Sequence, residues 1–370
     1  MDFRDERSAG APPVHSASPA RHVDAELVDS SYYYAPSSDM GPYLSSSLHQ
    51  RLTPKTKRAS GNGSGSSAST ATAADSVSSS PALSSSSSST GDCPTVAAND
   101  RTVVFWQSEV AGCDLLPKGV THVIWGFALV ADGSIVPTFQ GADSTLIDCV
   151  QQLRAKCILS LGGIGGSTNN DNMTAVVDAA TFAKSAVALV KKFDFDGLDL
   201  DDETVGSQFN STRVVDLLQA TRTELNAVNT SLLLTYDAYF YEGQPSFCQD
   251  PDNIAYSRCF PTGVLAYVDW INIMAYNVNQ ANVTAEAVYA AAITSTFAAW
   301  SEQLANDFSR ATIGVCVADN CAYGPGPNAT IIADWNDFAR QDGYGGMMVY
   351  AASGEVADDF PVTRSLIVVS

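Results

Sequence analysis

The chain has 370 residues, 45% of them hydrophobic, which is a globular composition and excludes a wholly disordered protein. Forty Asp and Glu stand against 20 Lys and Arg, a net charge of −20 that sets the surface against phosphate backbones and anionic lipid heads. Nucleic acid and membrane are therefore not the expected partners.

Residues 1–100 are rich in Ser, Pro, Ala and Gly, with 15 Ser between Ser60 and Thr90. Such a segment buries too little apolar surface to offset the entropy of ordering its backbone, so 1–100 is expected to be a disordered tail or linker. The start MDFRDERSAG is charged and no apolar run follows, so no signal peptide is legible there. Lys55-Thr56-Lys57-Arg58 reads as a solvated basic cluster or a processing site. Five acceptor patterns for N-glycosylation, at Asn172, Asn210, Asn229, Asn282 and Asn328, together with eight Cys, point instead to an extracellular protein.

From Arg101 the texture changes to short apolar runs. Strands are predicted over Thr102–Gln107, His122–Val130, Cys157–Gly163, Gly197–Glu203, Leu232–Ala238, Val268–Tyr276, Ala311–Ala318 and Gly345–Ala351. Helical patterns fill most gaps, among them Thr181–Lys192, Thr212–Asn226 and Ala285–Ala305. Strands alternating with helices imply parallel pairing through right-handed crossovers. Eight such units in residues 101–370 predict a (β/α)8 TIM barrel, with a stunted first crossover. An open doubly wound sheet is the alternative, but Gly162-Gly163-Ile164-Gly165-Gly166 lacks the third glycine of a dinucleotide loop.

The fourth predicted strand carries Asp196-Gly197-Leu198-Asp199-Leu200-Asp201-Asp202-Glu203. Alternation puts Asp199, Asp201 and Glu203 on one face and the leucines on the other. In a parallel barrel the outer face is apolar, so the acids point inward and climb toward the C-terminal mouth, where active sites of this architecture lie. Crowded carboxylates raise at least one pKa, and Glu203, nearest the mouth, is the candidate proton donor. A calcium loop does not fit the spacing, and four scattered His without H-x-x-x-H or paired C-x-x-C give no metal site. No G-x-S-x-G elbow is present. No cofactor is expected, and a monomer is.

The signature resembles the D-G-x-D-x-D-x-E motif of glycoside hydrolase family 18, the retaining chitinases and their relatives. Ser160-Leu161-Gly162-Gly163 is similar to that family's S-x-G-G, and Met274-Ala275-Tyr276-Asn277 to its M-x-Y-D/N. The resemblance implies substrate-assisted hydrolysis of β-1,4-linked N-acetylglucosamine, in chitin or a related oligosaccharide. It further implies that Glu203 is general acid and base, that Asp201 holds the acetamido N–H, and that Asp199 keeps Asp201 charged and oriented. Ser160 would bond to that inner carboxylate, Tyr276 would donate to the acetamido oxygen, and Asn277 would touch the sugar.

Aromatics near the predicted strand ends, Trp106, Trp125, Phe127, Tyr236, Tyr239 and Tyr350, are candidates for stacking on sugar rings. Two departures from the family pattern stand out. Tyr350 occupies the position where Trp is common, and Asp202 precedes the catalytic Glu as in the family's endo-β-N-acetylglucosaminidases. Only about 27 residues separate the last two predicted strands, so no groove-deepening subdomain is expected, and an open cleft suits internal cuts. An endo-acting chitinase is the leading expectation, with an N-glycan endoglycosidase and a carbohydrate-binding protein as rivals. Among the Cys, Cys248–Cys259 and Cys316–Cys321 are the expected pairs.

Overall fold

The computed structural model describes residues 93–367, apart from 108–111, 166–172, 174–177, 205–208, 241–246, 249–258, 279–280, 318–320 and 322–323. The Ser-rich segment, the basic cluster at 55–58 and the Asn172 pattern lie outside the described residues.

The chain begins with β1 (Thr102–Gln107), β2 (His122–Ala131) and β3 (Ser134–Val136), then α1 (Asp143–Ala155), β4 (Leu159–Gly165) and α2 (Ala179–Phe193). It continues through β5 (Gly197–Asp201), α3 (Ser211–Val228), β6 (Leu233–Tyr239) and β7 (Trp270–Met274). Helices α4 (Asn282–Ala291) and α5 (Thr296–Gln303), then β8 (Ala311–Cys316), α6 (Ala329–Gln341), β9 (Met347–Tyr350) and α7 (Pro361–Leu366), complete it. The sheet order is β1-β9-β8-β7-β6-β5-β4-β2, and β1 also pairs with β2, so eight parallel strands close into a (β/α)8 TIM barrel.

Every predicted strand is present, shifted by a few residues at its ends. The crossover between β1 and β2 is indeed stunted, with only a 3-10 turn at Cys113–Leu115 among the described residues. Strand β3 was not predicted. It pairs antiparallel with the end of β2 through Asp132 and Gly133, both with positive φ, the conformation a two-residue hairpin turn requires. The predicted helix over Ala285–Ala305 is two helices. At the break, Thr294 and Ser295 donate their hydroxyls to Ala291 O (3.1 and 2.9 Å), competing with the helix ladder as these side chains do.

Alternation sorts the side chains into two cores. Val104, Trp106, Val123, Trp125, Ile164, Leu198, Leu200, Tyr236 and Ile273 face the helices, and Val103, Phe105, Ile124, Leu161, Trp270 and Met348 fill the barrel. The floor is closed by Arg101, whose guanidinium lies 4.1 Å over the Trp270 ring and donates to Gly345 O, and by His122 against the same Trp. Burial pushes the Arg101 pKa down to about 10 and that of His122 down to about 3, so the imidazole is neutral. All eight Cys are paired, as Cys93–Cys157, Cys113–Cys149, Cys248–Cys259 and Cys316–Cys321, the last two as expected.

Candidate active site

Strand β5 alternates as the sequence requires: Leu198 and Leu200 pack on the helix layer, while Asp199 and Asp201 point into the barrel, buried. The two carboxyls are about 6–7 Å apart along the strand. Glu203 lies beyond the strand, which ends at Asp201, and it is half-buried at the mouth. Its charge bears on both Asp237 and Tyr276.

Glycine makes room for this ladder. Asp199 is paired with Gly163, and Asp201 with Gly165. A Cβ at Gly165 would stand 1.9 Å from Asp201 O, and the φ of +131° excludes other residues independently.

Around Asp199 the barrel is polar. Its Oδ1 accepts from Thr235 Oγ1 at 2.5 Å and from Asn272 Nδ2 at 3.2 Å. The same Asn272 Nδ2 donates to Asp237 Oδ1 at 2.9 Å, while Asn272 Oδ1 accepts from Trp270 Nε1 (3.0 Å) and Thr312 Oγ1 (2.7 Å). Asn272 is thereby locked in one orientation. Burial pushes the Asp199 pKa up to about 7 against the pull of hydrogen bonds from Thr235 and Asn272. Asp237 is raised well above the carboxylate range, first by burial and then by the charges of Asp199 and Asp201.

Tyr276 sits just past β7, in tight turns closed by Ala275 N to Ile273 O and Tyr276 N to Met274 O (both 2.8 Å). Its pKa is raised well above the phenol value by burial, then by its acidic neighbours Asp237, Asp201 and Glu203, so it is a hydroxyl donor at any working pH. Tyr350 stacks on it at 6.0 Å and 13° and meets Phe105 edge-on at 5.5 Å. Phe127 joins the same group 5.9 Å from Phe105, and Tyr239 packs against it. Asn277 follows Tyr276, half-buried, with a left-handed φ of 63°.

The structure turns four predicted site residues away from the barrel interior. Trp106 is fully buried against Trp125 and Phe360 on the outer face of β1, because even positions of that strand face the helices. Tyr236 likewise points outward onto Phe260, and Trp125 shares this fate. Ser160 has the parity of Gly162, whose Cβ direction meets Phe195 and Leu189 of the helix layer, so its hydroxyl faces away from Asp199. The Ser160 hydroxyl oxygen is buried without a hydrogen bond, and its backbone N–H donates to Asp196 Oδ2 at 2.8 Å. Asp196, the first acid of the signature, is thus a tie between strands, held also by Arg154. Asp202 is buried just past the end of β5, where Oδ1 accepts from Thr204 N (3.0 Å) and Thr204 Oγ1.

Asp237, Asn272, Thr235 and Thr312 escaped the sequence reading. The signal was present, since in Leu233–Tyr239 the polar residues Thr235 and Asp237 alternate with Leu234 and Tyr236, as on β5. Among the described residues no group of three His, Cys, Asp or Glu could hold a metal ion.

A parallel barrel with inward carboxyls at the end of its fourth strand, and a buried tyrosine on which their charge acts, is an arrangement that suits a barrel glycosidase. The model of glycosyl hydrolases family 18 matches residues 101–316, more than half of the chain, and the chain belongs to that family. It is similar to Endochitinase 1 of Metarhizium anisopliae (30% identity over 193 residues, 44% of this chain and 43% of that protein). It is also similar to Chitinase 1 of Aphanocladium album (30% over 188 residues, with the same coverage). The match therefore spans less than half the length of these relatives. Among solved structures, a GH18 chitinase from Pseudoalteromonas aurantia shares the fold with a TM-score of 0.58 and 20% identity, covering 72% of this chain and all of that one. A class V chitinase mutant from Nicotiana tobaccum in complex with NAG4 gives 0.56 and 17%, covering 72% and 97%.

Proposed function

We propose that the chain is an endo-acting chitinase that hydrolyses β-1,4-N-acetylglucosamine linkages with retention, through the substrate's own acetamido group. The observation that carries this is the inward pair Asp199 and Asp201 on β5, with Glu203 two residues past the strand end and the charges of Asp201 and Glu203 acting on the buried Tyr276.

In this reading Glu203 protonates the glycosidic oxygen as the C1–O bond breaks, while the acetamido carbonyl oxygen attacks C1 and leaves an oxazolinium. Asp201 accepts the acetamido N–H, which aligns the attacking oxygen and balances its positive charge. Tyr276, a phenol at any working pH, donates to the same group. Glu203, now a carboxylate, takes a proton from water as that water attacks C1 and restores the acid. Tyr350, stacked on Tyr276, supplies a flat floor beneath the sugar in place of a larger ring.

Internal cutting is supported by the short link between β8 and β9, which among the described residues holds α6 and no added subdomain. Extracellular action is supported by the four disulfides and by the exposed acceptor residues Asn210, Asn229 and Asn328. Asp202 lends no weight to the N-glycan alternative, because it caps the backbone of its own loop.

Incubation with chitotetraose and a high-mannose glycoprotein side by side, followed by mass analysis, tests the reading. Short N-acetylglucosamine oligomers from the first and an intact second are expected. Glycan release with chitotetraose untouched would overturn it in favour of an endoglycosidase, and binding without any cleavage in favour of a lectin-like protein.

A further inference from the structure

Asp237 is a second buried carboxyl in the barrel, 2% exposed, on the strand next to the ladder and with no place in the mechanism above. Its position is unusual chemically. Asn272 Nδ2 bridges Asp237 Oδ1 (2.9 Å) and Asp199 Oδ1 (3.2 Å), which holds the two carboxyls side by side on adjacent strands. Two buried carboxylates so placed repel and present only acceptors to each other, which favours a proton on one of them.

The arrangement decides which one. Asp199 receives two donors, from Thr235 and Asn272, a set that stabilises a carboxylate. Asp237 receives Asn272 and faces the charges of Asp199, Asp201 and Glu203, with Tyr276 opposite. Each of those acids, when ionised, favours the neutral form of Asp237.

We propose that Asp237 is a positioning residue that works as a neutral carboxylic acid, donating its proton in a hydrogen bond to Asp199 and so fixing one negative charge on Asp199 beneath Asp201. The pair then carries a single charge rather than two, and Asp201 above it is spared a second repulsion. This deepens the chitinase reading and rests on it for the role, though not for the proton. No proton leaves the pair during turnover; Asp237 keeps it throughout.

The test compares Asp237→Asn with Asp237→Ala. An Asn at 237 keeps an N–H to donate to Asp199 and an oxygen to accept from Asn272, whereas Ala keeps neither. In the pH profile of kcat on chitotetraose, the acid limb reports protonation of Asp199. It is expected to stay within a few tenths of a pH unit in D237N, with kcat down less than about tenfold, and to move up by about one unit in D237A, with kcat down about a hundredfold. An equal shift in both variants, or in neither, overturns the proposal.

Infrared spectroscopy of the full chain at about pH 8 supplies a readout that needs neither substrate nor the Ala variant. The wild type should show a carboxylic-acid carbonyl band that D237N lacks. Absence of that band in the wild type also overturns the proposal. Failure of the wild type to cleave chitotetraose would instead sink the chitinase reading while the band still reports the proton.

Discussion

Burying Asp199 is tolerated because hydrogen bonds from Thr235 and Asn272 meet it, and even so its pKa rises to about 7. That shift has a sign for stability. The unfolded side chain titrates near 3.9, so the contribution is fully present below about pH 4 and is lost as pH rises toward about 7, while the unfolded chain gains charge that the folded one resists. Asp199→Asn should flatten this slope. Melting temperature measured across that window should fall less in the variant than in the wild type, and parallel curves would contradict the shift. Tyr276 offers a second residue-level test. Tyr276→Phe keeps the ring stacked on Tyr350 and removes only the hydroxyl, so kcat on chitotetraose should drop about 10²-fold with unchanged circular dichroism. Loss of less than about threefold would remove Tyr276 from the acetamido contact.

Elements hold these side chains through backbone contacts that few residues permit. At Gly165 of β4 an added methyl group would overlap Asp201 O, so Gly165→Ala should cost more than about 2 kcal/mol in chemical denaturation and displace the ladder. Near-neutral stability would show that the strands relax at no cost. The disulfides differ by the loops they close. Cys93–Cys157 spans 64 residues and Cys316–Cys321 only 5, so paired Ser replacements should cost about 4 and about 2 kcal/mol respectively on loop entropy. Thermal unfolding of the two double variants checks the order. Element boundaries were the least legible feature of the sequence. Glu203 and Tyr276 both fall two residues beyond the strands predicted to contain them, since period-2 patterns continue past the last ladder bond. The Asp132-Gly133 turn was readable and went unread, which is why β3 was missed.

At the scale of the whole molecule, closure of the barrel was legible because eight apolar runs alternate with helices, a rule that depends on no single residue. The ladder was legible for the same reason, as Leu198 and Leu200 fix the outer face and leave Asp199 and Asp201 inside. The aromatic candidates failed where only strand parity decides. Trp106 and Tyr236 are rich in flat surface, and composition cannot tell that their register turns them to the helices. Asp237 and Asn272 were hidden because their importance comes from neighbours on β5 and β8, which pairing in space brings together. Under the proposed function Glu203 moves the proton during cleavage of an N-acetylglucosamine oligomer. Hydrolysis of chitotetraose by Glu203→Gln, measured beside calorimetric binding of the same oligomer, tests it most directly. The expected result is a rate lowered about 10²–10⁴-fold with binding retained; a variant as active as the wild type would contradict it.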